Sequence, residues 1–345
     1  MINVDKLVLI DAQAAGRIQQ QRGLPEWDEP TDQDPNDPKY RLVALDLREL
    51  AAHQFKQRDP LLLPWLNSQD LAMLFAGRGI GKTHLSLAIA FAVACGSSFG
   101  KWHAPKAAKV LYLDGELPGA VLQSRVAMQL PDMDPQPGYF RVFTPDLLPD
   151  GVPMPDLSTP EGQHVIDRII EPDTALVIID NLSAWCRTGR ENEAESWHPI
   201  ATWILQLRRR GLAVLLVHHA GKAGQQRGTS KREDLLDVSI SLSRPKDYET
   251  SQGARFVLEF TKARNLTGDD AQSLELELGG TEDRAEWKFS TLEASTFDRV
   301  VALANEGLTQ SEIATELELN KSNVSRHMRR AIAEGLVSQA SKGGK

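Results

Sequence analysis

The stretch Leu71-Ala72-Met73-Leu74-Phe75-Ala76-Gly77-Arg78-Gly79-Ile80-Gly81-Lys82-Thr83-His84 joins six apolar residues to a glycine-rich turn, and the turn to the helical pattern of residues 82–94. Strand, tight turn and helix N-terminus in that order are what a phosphate cradle requires. Gly79 and Gly81 let backbone N–H groups curl round an anion, and the helix dipole favours negative charge at that end. In this reading Gly77, Arg78, Gly79, Ile80, Gly81, Lys82, Thr83 and His84 form the nucleotide-binding turn. Lys82 bridges the β- and γ-phosphates of ATP, and the Thr83 hydroxyl holds Mg²⁺. The usual first glycine of the G-x-x-x-x-G-K-[ST] pattern is Ala76 here; it stands where the strand ends, a place that an alanine with negative φ fits.

Two more apolar runs end in carboxylates. ALVIID at 175–180 sets Asp180 at a strand's C-terminal edge, where it orders Mg²⁺. KVLYLDGE at 109–116 sets Glu116 just beyond a strand, where it takes a proton from an attacking water; Asp114 is left a structural part. LAVLLVH at 212–218 is another continuous apolar run, as expected for parallel strands covered on both faces. A helix is expected at 196–210 between the last two parallel strands, and strands at 240–243, 255–262, 274–278 and 286–289 follow at hairpin spacing. The expected fold class is α/β, a core with a mostly parallel sheet finished by antiparallel strands, followed by a small all-α C-terminal domain.

The chain has 345 residues, 41% hydrophobic and 25% charged, enough for about two domains of ordinary globular composition. Residues 1–40 hold an amphipathic stretch at 4–20 and then a segment rich in Pro and Asp, read as a flexible arm. Residues 41–60 are read as a linker helix that either caps its own core or docks on a neighbouring subunit; 61–292 form the ATPase domain and 295–345 a DNA-binding domain. Two cysteines, Cys95 and Cys186, far apart, argue against a disulfide framework or structural zinc. No run is long enough for a membrane span and the N-terminus lacks a signal pattern, so a cytoplasmic location is expected. A net charge of −8 excludes a surface that coats nucleic acid all over, so DNA contact has to come from local basic loops or one small module.

Together AGRGIGKT (76–83), VLYLDGE (110–116), LVIIDN (176–181), LLVHHAGK (215–222) and FTKARNLTG (260–268) resemble the RecA-like hexameric ATPases. The likeness, over roughly 61–292, is above all to RepA-type plasmid replicative DNA helicases and more distantly to DnaB-type helicases. The resemblance implies that Glu116 is the catalytic base. It also implies that His218 or His219, of which His219 stands nearer the following loop, senses the γ-phosphate. Lys262 and Arg264 would be a basic finger pair reaching into the next subunit's site, in a homohexamer or a filament. The glycine-rich polar segment 220–234, with Lys222, Arg227, Lys231 and Arg232, is longer than core packing demands, and the resemblance makes it the loop that holds single-stranded DNA in a central channel. No DNA role is assigned to the loop at 181–197.

The C-terminal stretch GLTQSEIATELELNKSNVSRHMRRAIAEGLV (307–337) has Thr309 and Glu312 as a capping box, a helix at 310–317, and a second at 321–334 with Asn320 as N-cap and Gly335 at its end. Val324, Met328, Ala331 and Ile332 face inward. Lys321, Ser322, Asn323, Ser325, Arg326 and Arg329 face out, the polar and basic set of a recognition helix on duplex DNA. This stretch resembles the helix-turn-helix of winged-helix bacterial regulators. The expected function is an ATP-hydrolysing, homo-oligomeric DNA helicase or translocase of plasmid or mobile-element replication. The rivals are a nucleotide-switched DNA-binding regulatory ATPase and a recombinase-like filament on single strands.

Overall fold

The computed structural model of the chain describes residues 44–55, 57–187, 194–219 (194–196 as backbone), 234–264, 266–281 and 283–337. It divides into two units, Met1–Gln57 and Arg58–Lys345. The arm at 1–40 lies outside the described residues. In the first unit, helix α1 (Leu47–Ala52) starts at a capping box in which Asp46 accepts from the Glu49 N–H and Glu49 accepts from the Asp46 N–H. The helix expected over 41–60 is therefore shorter. His53 is already extended, α1 buries no residue, and Pro60 opens a strand.

The second unit is built on nine strands: β1 (Leu71–Ala76), β2 (Lys109–Asp114), β3 (Phe140–Phe143), β4 (Thr174–Asp180), β5 (Ala213–His219), β6 (Val238–Ser243), β7 (Ala254–Ala263), β8 (Leu274–Thr281) and β9 (Arg284–Thr291). Their order across the sheet is β9-β8-β7-β6-β1-β5-β4-β2-β3. The six strands from β3 to β6 run parallel, and β7, β8 and β9 continue the sheet antiparallel. This is the expected α/β core, a mostly parallel sheet finished by antiparallel strands. All six residues of β1 are buried, and β1 lies between β5 and β6, where the strand order reverses. In an open α/β sheet such a switch point leaves a crevice beyond the strands' C-terminal ends.

Among the described residues the α-helices of this unit are α2 (Lys82–Cys95), α3 (Gly119–Ala127), α4 (Pro160–Asp167), α5 (Leu182–Trp185), α6 (Ala194–Arg209), α7 (Leu292–Asn305), α8 (Gln310–Glu316) and α9 (Lys321–Ala333). α2 is apolar all round, as a helix sunk in a core must be. It packs Leu85, Ile89 and Val93 with Trp65, Phe99 and Trp102 on one sheet face. α6 covers the other face with Trp203, Ile204 and Leu207 against Met73, Val177 and Leu216.

α7 follows β9 directly: the Thr291 hydroxyl accepts from the Ala294 N–H at 3.1 Å, and the helix is under way three residues before position 295. Val300 of α7 joins Ile313, Ala314 and Val324 in one small core, and Phe297 joins Ala331 and Val337 in another. The capping box of Thr309 and Glu312 forms. Asn320 has the extended backbone of an N-cap but its side chain makes no capping hydrogen bond, so α9 starts without that support. His327, not counted among the inward residues, is buried beside Phe297, whereas Met328 and Ile332 are only half-buried.

Candidate functional site

β1 delivers the chain to the crevice and α2 takes it away. Ala76 closes β1 in an ordinary strand conformation, so the alanine in place of the first glycine costs nothing there. Gly79 and Gly81 have φ of 71° and 131°. A Cβ on Gly81 would stand 2.7 Å from the Phe256 ring, so this glycine is required by space as well as by backbone. Gly81 caps α2 without a side-chain hydrogen bond, which leaves the first N–H groups of a 14-residue helix directed at the crevice. Lys82 is 6% exposed, and its ammonium donates to the Ala76 and Gly77 carbonyls at 3.1 and 2.8 Å. Burial lowers its pKa, opposed by the charges of Asp180 and Glu116.

Asp180 ends β4 beside this turn, 4% exposed. Burial raises its pKa, and hydrogen bonds from Tyr112 (2.7 Å) and Thr83 hold it down. Tyr112 also meets the Ser86 hydroxyl at 2.9 Å, so α2, β2 and β4 are tied together beneath the site. Asp114 is buried at the end of β2; the Leu117 N–H donates to it at 3.2 Å, and burial with Asp180 nearby pushes its pKa up to about 7.

Glu116 lies just past β2 with its side chain 55% exposed. Asn181, next to Asp180 and 2% exposed, donates from Nδ2 to Glu116 Oε2 and lies 3.2 Å from His219 Nε2. His219 Nε2 is 3.5 Å from the same Glu116 oxygen. Burial, followed by the Lys82 charge, lowers the pKa of His219, so its ring is neutral near pH 7. Glu116, Asn181 and His219 thus form a polar triangle over the cradle. His218 is 1% exposed, inside the sheet, and of the two histidines only His219 lines the cavity.

That cavity has a volume of about 580 Å³. Lys82, Thr83, Asp180, Glu116 and His219 line it, and so do Arg125, Arg244 and Tyr248. These last three were not found from sequence: Arg125 is an ordinary helical arginine in α3, and Arg244 and Tyr248 lie in a loop without a motif. Asn181 was missed for another reason, since its role depends on a contact 65 residues away in the chain. His84 is held neutral, its pKa lowered to about 4 by burial and by Arg125.

Lys262 and Arg264 do not reach this group. Lys262 pairs with Ser239 and that residue with Met73, and the Arg264 N–H reaches the Asp237 carbonyl at the level of Leu71. The cradle starts at Ala76, three residues beyond Met73 and five beyond Leu71 along β1, roughly 10 and 17 Å away at the rise of a strand. Arg264 instead faces Asp237 at 3.7 Å, with its side chain 54% exposed. Lys222, Arg227, Lys231 and Arg232 lie outside the described residues. On α9, Lys321, Ser322, Arg326 and Arg329 are exposed, and Asn323 and Ser325 are half-buried.

The residues fit Mg²⁺ bound together with nucleotide phosphates. Among the described residues no group of three or more His, Cys, Asp and Glu side chains could cage a metal alone. Mg²⁺ in nucleotide sites takes one or two protein oxygens and completes its shell with phosphate and water, and Thr83 beside Asp180 supplies that set. No helix among the described residues is long and apolar enough to cross a membrane.

An AAA domain family model matches residues 36–225, and a MarR family model matches residues 294–345. A comparison with curated proteins finds no match. Among solved structures the chain is similar to the RadB recombinase, at 15% identity over 64% of this chain and 90% of that one, with a TM-score of 0.44. It is also similar to a KaiC-like protein from Pyrococcus horikoshii, at 14% identity over 66% of this chain and 93% of that one, with a TM-score of 0.46. The AAA domain match spans more than half of the residues and takes in the cradle, Glu116, Asp180 and His219, so the chain belongs to the AAA domain family, as a P-loop ATPase whose C-terminal stretch is similar to the MarR family.

Proposed function

We propose that this ATPase is a cytoplasmic, homohexameric DNA helicase or translocase of plasmid or other mobile-element replication, with residues 61–292 as motor and 295–345 as DNA-binding domain. The observation that carries the reading is the separation of Lys262 and Arg264 from the cradle of their own chain. Basic residues of a finger pair at the far end of the sheet serve a site only if a second copy presents them.

In this mechanism Lys82 exchanges its two carbonyl partners for β- and γ-phosphate oxygens, and Gly77, Arg78, Gly79, Ile80, Gly81 and His84 wrap the phosphates. Thr83 and Asp180 would hold Mg²⁺, which neutralises phosphate charge when bound. Glu116, oriented by Asn181, accepts the proton of the attacking water. His219, neutral and in contact with that pair, reports the γ-phosphate to the adjoining segment 220–234. Lys222, Arg227, Lys231 and Arg232 in that segment would track single-stranded DNA along a central channel. Lys321, Ser322, Asn323 and Ser325 would meet base edges of duplex DNA, with Arg326 and Arg329 on its phosphates.

Strand displacement from a forked duplex with Mg·ATP tests the reading. The wild-type protein should release the strand, and Lys82→Ala should neither hydrolyse ATP nor unwind. DNA-stimulated hydrolysis without displacement at any protein concentration would instead favour a nucleotide-switched DNA-binding regulatory ATPase. The ion pair between Asp247, in the loop 244–253 that carries Arg244 and Tyr248, and Arg299 of α7 gives that second reading its support.

A further inference from the structure

The loop 244–253 turns β6 back into β7 at the cradle end of the sheet, and its two sides have different company. On one side Arg244, Tyr248, Thr250 and Gly253 line the nucleotide cavity. Arg244 donates to the Gly79 carbonyl at 2.6 Å and to the Gly253 and Arg255 carbonyls at 2.8 Å each. Its guanidinium lies 3.8 Å from the centre of the Tyr248 ring, and the Tyr248 hydroxyl donates to the Gly253 carbonyl at 2.9 Å. The loop is therefore fastened to the phosphate turn itself.

On the other side the loop holds the C-terminal helices. Asp247 accepts from Arg255 and from Arg299 of α7, both at 3.0 Å. Glu275 of β8 accepts from Arg255 at 2.7 Å and also from Arg299 and Ser295 of α7. Lys246 pairs with Glu318 in the turn between α8 and α9. α7 in turn supplies Val300 and Phe297 to the cores that seat α9.

We infer that loop 244–253 couples the nucleotide site to the DNA-binding helix, so that nucleotide changes the duplex affinity of α9 and duplex changes the nucleotide affinity by the same factor. The inference rests on the nucleotide and DNA readings proposed above. A nucleotide phosphate in the cradle meets Gly79, whose carbonyl anchors Arg244, and this gives the ligand a contact that depends on the loop's position. The far side cannot absorb a loop shift quietly. Arg255 and Glu275 have side chains only 9% and 8% exposed, and a buried ion pair that loses one member leaves the other charge stranded. Arg299 shares both carboxylates with Arg255, so displacement of Asp247 pulls on α7.

The test measures both halves of the linkage on the full-length protein. Binding of a fluorescent ATP analogue with Mg²⁺ is titrated without and with a mixed-sequence duplex of about 30 base pairs, and duplex binding without and with saturating analogue, at low salt. Coupling predicts equal and reciprocal changes of roughly 5-fold or more. In Asp247→Asn, which keeps the side-chain volume and touches no cavity atom, both factors should fall toward one while each ligand alone still binds. Two ligands that bind wild-type protein without affecting each other would overturn the coupling and leave the site readings standing. Absence of analogue binding, or of duplex binding, would overturn the corresponding site reading and the coupling with it. Undiminished coupling in folded Asp247→Asn would overturn the loop as its carrier, and Lys246→Ala, which removes the exposed contact with Glu318, applies the same test if Asp247→Asn fails to fold.

Discussion

At the scale of single residues, the polar triangle over the cradle separates binding from chemistry. In the proposed mechanism Lys82, Thr83 and Asp180 meet phosphate and metal, whereas Asn181 touches Glu116 and His219 and belongs to neither group of ligands. Asn181→Asp keeps the oxygen that caps α5 through the Ala184 N–H at 3.1 Å, but replaces the amide donor with a carboxylate facing Glu116. A general base contributes about 10²–10⁴-fold, and losing its orientation should forfeit a substantial part, so kcat is expected to fall at least ~10-fold. Nucleotide affinity, measured by analogue binding, should stay within about threefold because the phosphate ligands are untouched. Equal losses in kcat and affinity would deny Asn181 a positioning role. Gly81 makes a second residue-scale case. Its φ of 131° and the Phe256 ring 2.7 Å from any Cβ predict that Gly81→Ala loses about 1–3 kcal/mol of stability in urea unfolding, even without nucleotide. An unchanged midpoint and slope would show that the turn relaxes freely.

At the scale of elements, how much could be read from the sequence followed how each element is buried. β1, β4 and β5, covered on both faces, are continuous apolar runs and stood out at once. β3 did not. It is a four-residue edge strand, half-buried throughout, between a segment rich in Pro and Gly and Pro145, so it has neither an apolar run nor an alternation. α3 buries only Leu122, and its sequence carries no stripe to reveal it. In the site, Lys82, Thr83, Glu116, Asp180 and His219 were legible because motif and strand end coincide. Asn181, Arg125, Arg244 and Tyr248 were not, since only tertiary folding brings them to the cavity. His327 illustrates the same limit in α9: it occupies a core place although the reading of the helix faces assigned it to neither. Burial lowers its pKa, so its ring contributes fully while neutral, above the ordinary value near 6.5, and that stability is lost as pH falls and the ring must charge. Amide exchange in residues 310–333 should therefore quicken from pH 7 to pH 5, after correction for intrinsic rates, and His327→Leu should remove most of the difference. The same slope in both proteins would assign the effect to other groups.

At the scale of the whole molecule the decisive question is whether one chain completes its own site. Arg264 is exposed, and its buried partner Asp237 keeps Arg208 at 3.6 Å and the Leu71 N–H at 3.0 Å when the arginine is removed, so Arg264→Ala should fold and bind nucleotide normally. If the arginine serves the neighbour's γ-phosphate, its loss should cost about 10³–10⁵ in turnover, as for such fingers in general. Glu116→Ala should be inactive for the opposite reason, with its own base removed and its finger intact. A head-to-tail ring joins two different faces at each interface. In a random equal mixture about one interface in four would pair the intact Glu116 of an Arg264→Ala chain with the intact Arg264 of a Glu116→Ala chain. ATP hydrolysis should then return when two inactive proteins are mixed, reach its maximum near equal proportions, and vanish on dilution below the assembly concentration. A site completed within one chain has no such source of activity. Flat, background hydrolysis at every ratio, from mixtures shown to co-assemble, would exclude the shared site and with it the ring motor.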